Sequence, residues 1–168
     1  MTKVKKPPVS VRAVGPDDRM LVDRILIETW DATEFATCGE MTDARDLPGF
    51  IAFAGDEVVG LLTFHANEEV CELLTLNALK PWRGIGSALL DEFVKEIKGQ
   101  GFSRVFLVTT NDNVDAIRFY QKRGWYLAEV NVGAVDEARR TIKPGIPDTG
   151  NYGIPIRDEL VFELRGVL

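Results

Sequence analysis

The chain has 168 residues, 45% of them hydrophobic and 27% charged. That is enough apolar material for one sizeable core and too balanced for disorder or a fibrous repeat. A formal charge of −6, from 26 acidic against 20 basic residues, excludes a broad basic surface for nucleic acid and suits an amine-bearing or cationic partner. No apolar run approaches the roughly 20 residues that span a bilayer, and the basic lead MTKVKKPPVS has no apolar stretch behind it. The expectation is one domain over residues 1–168, with 1–8 flexible, in the cytoplasm and not on a membrane.

Two cysteines and a single histidine leave little room for metal or disulfide chemistry. Cys71 lies in an apolar run and Cys38 in a polar one, so both thiols are expected reduced, and His65 alone makes no metal site.

In chain order, Val9 to Val14 reads as a first strand. Asp17 or Asp18 then caps a helix whose apolar positions Leu21, Val22, Ile25, Leu26 and Trp30 recur at helical spacing. From Asp31 to Pro48 the pattern weakens to a loop or short helix. Phe50 to Ala54, the turn Gly55-Asp56, and Val58 to His65 form a strand, tight turn, strand signal, and Val70 to Leu76 is a further strand. Ser87 to Lys98 is a helix by Leu90, Phe93, Val94 and Ile97, closed by Gly99. Ser103 to Val108 is a strand, Asn113 to Arg123 a helix ended by Gly124, and Trp125 to Val130 a strand. Val135 to Ile142 reads as a short helix whose Arg139 and Arg140, with Lys143, form a solvated face. A Gly and Pro punctuated loop follows, and Ile156 to Leu164 is the last strand. Hairpins demand antiparallel pairs, and the crossover helix between Leu76 and Val105 demands a parallel one. The expectation is therefore an α/β (α+β) domain with a mixed sheet between helices.

One segment carries chemistry. Leu73 to Leu76 leads through Asn77 to Arg83 into Gly84-Ile85-Gly86-Ser87 and a helix, a strand, glycine turn, helix passage whose first N–H groups and dipole suit an anion. The same turn also serves merely to pack a strand on a helix. A dinucleotide fold is disfavoured because Leu89 stands where a third glycine belongs, and no P-loop lysine follows.

RGIGSALL, residues 83–90, resembles the central motif Q/R-x-x-G-x-G/A of the GNAT acetyltransferase family. NVDAIRFYQKRGW, residues 113–125, is similar to that family's second signature, N-x-x-A-x-x-F-Y-x-x-x-G-F/W. TLNAL and the closing GIPIRDELVFEL also look like an uncharacterised branch of it. In strict register the family's Gln or Arg falls on Pro81, with Arg83 two places later, a departure that shifts the expected phosphate contact to backbone amides from Arg83 to Ser87.

The resemblance implies a mostly antiparallel sheet of six to seven strands with a central splayed parallel pair and flanking helices. It also implies acetyl-CoA as cosubstrate, no metal, and direct acetyl transfer to a primary amine of a small molecule or peptide; a homodimer is allowed for. Cofactor-binding residues are then Leu74 and Leu76 through their main chain, Arg83, Gly84, Ile85, Gly86, Ser87, Asn113 and Tyr120. Tyr120 matches the family's general acid, although its spacing with Ile117 also fits a core aromatic. Glu72, a carboxylate inside a strand that otherwise wants burial, resembles the family's glutamate base, or is a solvated or ion-paired position. In the loop Lys143 to Arg157, Asn151, Tyr152 and Arg157 are either acceptor contacts or parts of a rigid crossover. A non-catalytic acyl-CoA sensor and a nucleotide-binding domain are the rival readings.

Overall fold

Alternating and apolar runs produce nine strands and four helices in a computed structural model that describes residues 8–80 and 84–166. Seven strands form one sheet in the order β1-β4-β5-β6-β7-β9-β8: Val9–Ala13, Gly49–Ala54, Glu57–Ala66, Val70–Ala78, Arg104–Thr110, Glu159–Leu164 and Trp125–Asn131. The ladders β1–β4, β4–β5, β7–β9 and β8–β9 are antiparallel, and β6 with β7 is parallel. The mixed, mostly antiparallel sheet with flanking helices is therefore as expected. By packing, the chain divides into two units: Met1–Thr33, Ala44–His65 and Leu74–Lys98 form one, and Glu34–Asp43, Ala66–Leu73 and Gly99–Leu168 the other.

In the first unit, β4 pairs with β1 and β5, and Gly55 opens the β4–β5 turn at φ 64°, a conformation that glycine adopts without a Cβ penalty. Helix α1, Arg19–Trp30, buries Val22, Ile25 and Leu26. Asp18 stands at its N-cap position but makes no side-chain cap bond. Its carboxylate turns back instead to accept from the Arg12 guanidinium at 2.6 and 2.9 Å and from the Gly15 N–H at 2.7 Å. The Arg12 hydrogen bonds, followed by that from Gly15, hold the carboxyl down at about 2. Helix α2, Ile85–Ile97, buries Ile85, Leu89, Leu90, Phe93 and Ile97, and Phe93 meets Phe64 of β5 edge-on at 5.2 Å. Gly60 allows this approach: a Cβ there would lie 2.6 Å from Ile85 Cγ2 and 2.9 Å from both Leu89 Cδ1 and the Asn77 carbonyl oxygen.

In the second unit the β6–β7 ladder runs from Val70↔Arg104 to Leu73↔Leu107. β7 then pairs with β9, and β9 with β8, where a bulge falls between Leu127 and Glu129. Helices α3, Val114–Gln121, and α4, Ala134–Thr141, complete it.

Three local expectations are corrected. Residues 31–48, read as a loop or short helix, hold the hairpin β2 Glu34–Thr37 and β3 Glu40–Asp43. Its turn residues Cys38 (φ 50°) and Gly39 (φ 81°) both adopt positive φ, the pattern of a two-residue hairpin turn, but strands this short carry little periodicity. The last strand begins at Glu159 and not Ile156, because Asn111 Oδ1 accepts from the backbone N–H groups of Arg157 and Asp158 at 2.9 and 3.0 Å and takes the place of a ladder.

Arg139 and Lys143 are not a solvated face. Arg139 donates to the carbonyls of Ile146, Pro147 and Ile156 at 3.0, 2.8 and 2.9 Å, tying α4 to the following loop. Lys143 Nζ donates to the Glu34 carbonyl at 2.6 Å and lies over the Phe35 ring, and burial lowers its pKa.

Candidate functional site

In the first unit the glycine turn opens α2, the next helix in the chain after β6. Gly84 is the N-cap of α2 at φ 72° and ψ 11°, a left-handed conformation, and its carbonyl accepts the first helical bond from Ala88 N at 3.0 Å. Without a side chain, Gly84 offers no acceptor to the N–H groups of Ile85, Gly86 and Ser87, and no acidic side chain occupies the first turn. Such an end presents positive potential, worth about 0.3–1 kcal/mol to an anion on an exposed surface. Leu74 and Leu76 are half-buried on β6, while Leu73, Thr75 and Asn77 between and beside them are buried. Arg83 and Pro81 lie outside the described residues.

The second unit holds Asn113, Tyr120 and Glu72. Asn113 is the N-cap of α3, its Oδ1 accepting from Ala116 N at 3.3 Å, so the capping role is met. Tyr120 is buried on α3, with its ring edge-on to Phe119 at 5.2 Å and to Trp125 at 5.8 Å. Burial pushes its phenol well above the ordinary value, which keeps the hydroxyl protonated and able to donate. It is a core aromatic in packing and a proton-bearing group in chemistry.

Glu72 is 5% exposed and Glu159 of β9 is 4% exposed. Glu72 stands opposite Phe106 in the parallel ladder, Thr110 lies four residues further along β7, and Thr110 stands opposite Glu159. Opposed residues share a sheet face, as do residues four apart on one strand, so the two carboxylates share a face. Burial raises the Glu159 pKa, the Cys38 backbone N–H (to Oε2, 3.2 Å) and the Asn131 side chain lower it, and the Glu72 charge raises it again. The β2–β3 turn therefore lies against this acidic face. Cys38 is exposed, yet partial desolvation at the turn, with Glu159 and then Glu72 adding to it, lifts its thiol to about 11, while burial followed by Glu72 lifts Cys71 to about 12. Neither thiol has the lowered pKa of a nucleophile.

The family match decides what these parts belong to. Residues 19–125 fit the model of the acetyltransferase (GNAT) family, and so span both the glycine turn and α3. The chain belongs to the GNAT acetyltransferase family. It is 40% identical over 144 residues to the uncharacterised protein YdhI of Bacillus subtilis, covering 85% of this chain and 89% of that one. Its fold matches a GNAT family acetyltransferase from Elizabethkingia anophelis with acetyl-CoA bound, at TM-score 0.64 and 17% identity over 95% of this chain and 99% of the other. It also matches Arabidopsis thaliana Naa50 in complex with the bisubstrate analogue CoA-Ac-MVNAL, at TM-score 0.65 and 22% identity over 94% and 99%.

Three elements of this acetyltransferase escaped the sequence reading. Glu159 lies inside the expected last strand Ile156 to Leu164 and, like Glu72, is a carboxylate in an apolar strand, but Arg157 and Asp158 just before it give that end of the strand a polar look. Asp112, 3% exposed, accepts from Asn151 N and Nδ2 at 2.9 and 3.0 Å and from the Thr110 hydroxyl. Together with Asn111 Nδ2 on the Pro155 carbonyl and the Tyr152 hydroxyl on Asp115, it fastens the 150–158 loop to the start of α3. Asn151 and Arg157 thus serve the rigid crossover. Asn77 is the third.

Among the described residues, no group of three or more His, Cys, Asp and Glu side chains is placed to hold a metal ion. No described helix is long and apolar enough to cross a membrane.

Proposed function

We propose that the protein transfers the acetyl group of acetyl-CoA directly to a primary amine. The observation that carries this reading is the left-handed Gly84 at the N-cap of α2 in the first unit, a helix start without an acidic first turn, at which the proposal seats the CoA pyrophosphate on the backbone of Ile85, Gly86 and Ser87. Leu74 and Leu76 offer main-chain groups to the pantetheine arm, and Arg83, the residue before Gly84 in the sequence, is the proposed cation for the pyrophosphate.

In the second unit the proposal gives Glu72 the role of base and Tyr120 that of acid. The neutral amine attacks the thioester carbonyl, a C–N bond forms and the C–S bond breaks. An acceptor that arrives as an ammonium ion first loses one proton to solvent; on attack Glu72 takes the second, Tyr120 donates its phenolic proton to the departing thiolate, and the proton on Glu72 returns to Tyr120 through solvent. Asn113, besides capping α3, contacts the cosubstrate. The paired carboxylates Glu72 and Glu159 suit an acceptor that arrives as an ammonium ion, small molecule or peptide N-terminus alike.

Calorimetry with acetyl-CoA and with CoA, beside a thiol-release assay over a panel of primary amines, tests the proposal. Binding with turnover on at least one amine is expected. Tight binding with no turnover points to a cofactor sensor, and no binding of either CoA form sinks the proposal.

A further inference from the structure

The first unit contains a buried polar stripe that acetyl transfer as described does not use. Thr63 of β5 and Thr75 of β6 are both buried and share a hydroxyl hydrogen bond of 2.7 Å. Two residues further along β6, on the same face, lies Asn77, 3% exposed. Trp30, the last residue of α1, donates its indole Nε1–H to Asn77 Oδ1 at 2.9 Å.

An indole N–H only donates, so it must meet the oxygen end of the amide, and this settles which end of Asn77 is which. The Nδ2 end therefore points elsewhere, and among the described residues it is buried without a hydrogen-bond partner. The main chain at Asn77 packs close to Gly60, where an added Cβ would lie 2.9 Å from the Asn77 carbonyl oxygen. Trp30 itself is 45% exposed, which gives the stripe one wet boundary. Buried N–H groups left in this state are rare in folded proteins unless a ligand or ordered water completes them.

We infer that Asn77 Nδ2 is a substrate contact that donates a hydrogen bond to a neutral carbonyl oxygen, with Trp30 as the positioning residue that holds the amide. Neutral is specified because the stripe consists of hydroxyls and an amide, and a carboxylate drawn there would lose water without gaining a countercharge. Two sources carry such an oxygen: the pantetheine amides of acetyl-CoA, and an acceptor with a carbonyl near its amine. The inference rests on the acetyl-transfer reading.

The side-chain amide protons of Asn77 in the full ¹⁵N-labelled chain, assigned by their loss in Asn77→Leu, read the contact directly. The probes are acetyl-CoA, glycinamide, which has a carbonyl beside its amine, and ethylamine, which has none. One amide proton should move downfield with acetyl-CoA or with glycinamide, which names the source, and stay in place with ethylamine. Asn77→Leu should weaken that ligand about tenfold while leaving the melting temperature unchanged or higher. Trp30→Phe should weaken it less, and the double variant should be no worse than Asn77→Leu alone.

Still resonances with both probes, while calorimetry registers acetyl-CoA binding, would overturn the inference and leave acetyl transfer standing. Slow solvent exchange of the same protons in the free protein would also overturn it, by revealing an internal partner. Loss of acetyl-CoA binding altogether in the native chain would remove both.

Discussion

Glu72 and Glu159 lie on one face of the second unit's sheet, on strands flanking β7, each almost wholly buried and each within the other's field. Burial, with the Glu72 charge adding to it, holds the Glu159 proton more tightly than the ordinary 4.5. A carboxyl whose folded pKa is raised stabilises the fold most below its unfolded value, and loses that contribution as pH rises through the folded one. Glu159→Gln keeps an oxygen for the Cys38 N–H and does not titrate. Its melting temperature should therefore gain on the native chain as pH is raised from 4.5 toward 8. Melting curves whose difference is flat over that range would refute the assignment.

Tyr120→Phe removes one hydroxyl and leaves the packing on Phe119 and Trp125 in place. If the phenol protonates the leaving thiolate, kcat should drop by about 10²-fold while the calorimetric affinity for acetyl-CoA holds. An unchanged kcat would leave Tyr120 as core alone.

Gly84→Ala isolates the backbone, because an added Cβ at that position meets nothing within 4 Å among the described residues. The cost should come from the left-handed φ, about 1–2 kcal/mol, seen as a lower denaturant midpoint at constant slope. Affinity for CoA should fall with it. Gly60→Ala is the opposite case: steric overlap with Ile85, Leu89 and the Asn77 carbonyl should make it the more damaging substitution of the two.

Asp112→Ala strips a buried acceptor from Asn151 and Thr110. The expected loss is about 1–3 kcal/mol, with hydrogen exchange at the Asn151 amide accelerating ahead of global unfolding. Exchange that quickens only with the whole chain would mean the loop is held by other means.

The thiols should be inert. With Cys38 held near 11 and Cys71 near 12, iodoacetamide at pH 7.5 should modify Cys38 far more slowly than a free cysteine. A rate matching glutathione would contradict the acidic surroundings assigned to it.

Much of the fold could be read before any coordinates, because long strands and helices advertise their period. β4, β5, β6, α2, α3 and β8 fall within two residues of their expected limits. The hairpin at Glu34–Asp43 was hidden by its brevity, since four-residue strands offer two inward positions each and no pattern emerges from two. Gly84 and Asn113 were legible as a cap and a turn because backbone geometry restricts which residues serve there. Glu159, Asp112 and Asn77 were not, because what distinguishes them is tertiary: a hairpin turn donating to Glu159, a loop returning from residue 151 to Asp112, an indole 47 positions away on Asn77. Arg139 was misjudged for the same reason, its three carbonyl partners lying beyond the helix that carries it.

The irregularity between Leu127 and Glu129 bears on how the protein behaves in a crowded cell. β8 ends its sheet and leaves Leu127 and Val130 exposed, which would ordinarily invite a stranger's strand to add on. An extra residue in the outermost strand throws the outward N–H and C=O groups out of step, so the border is a poor template for growth. Oily side chains can thus sit at the rim without seeding fibrils.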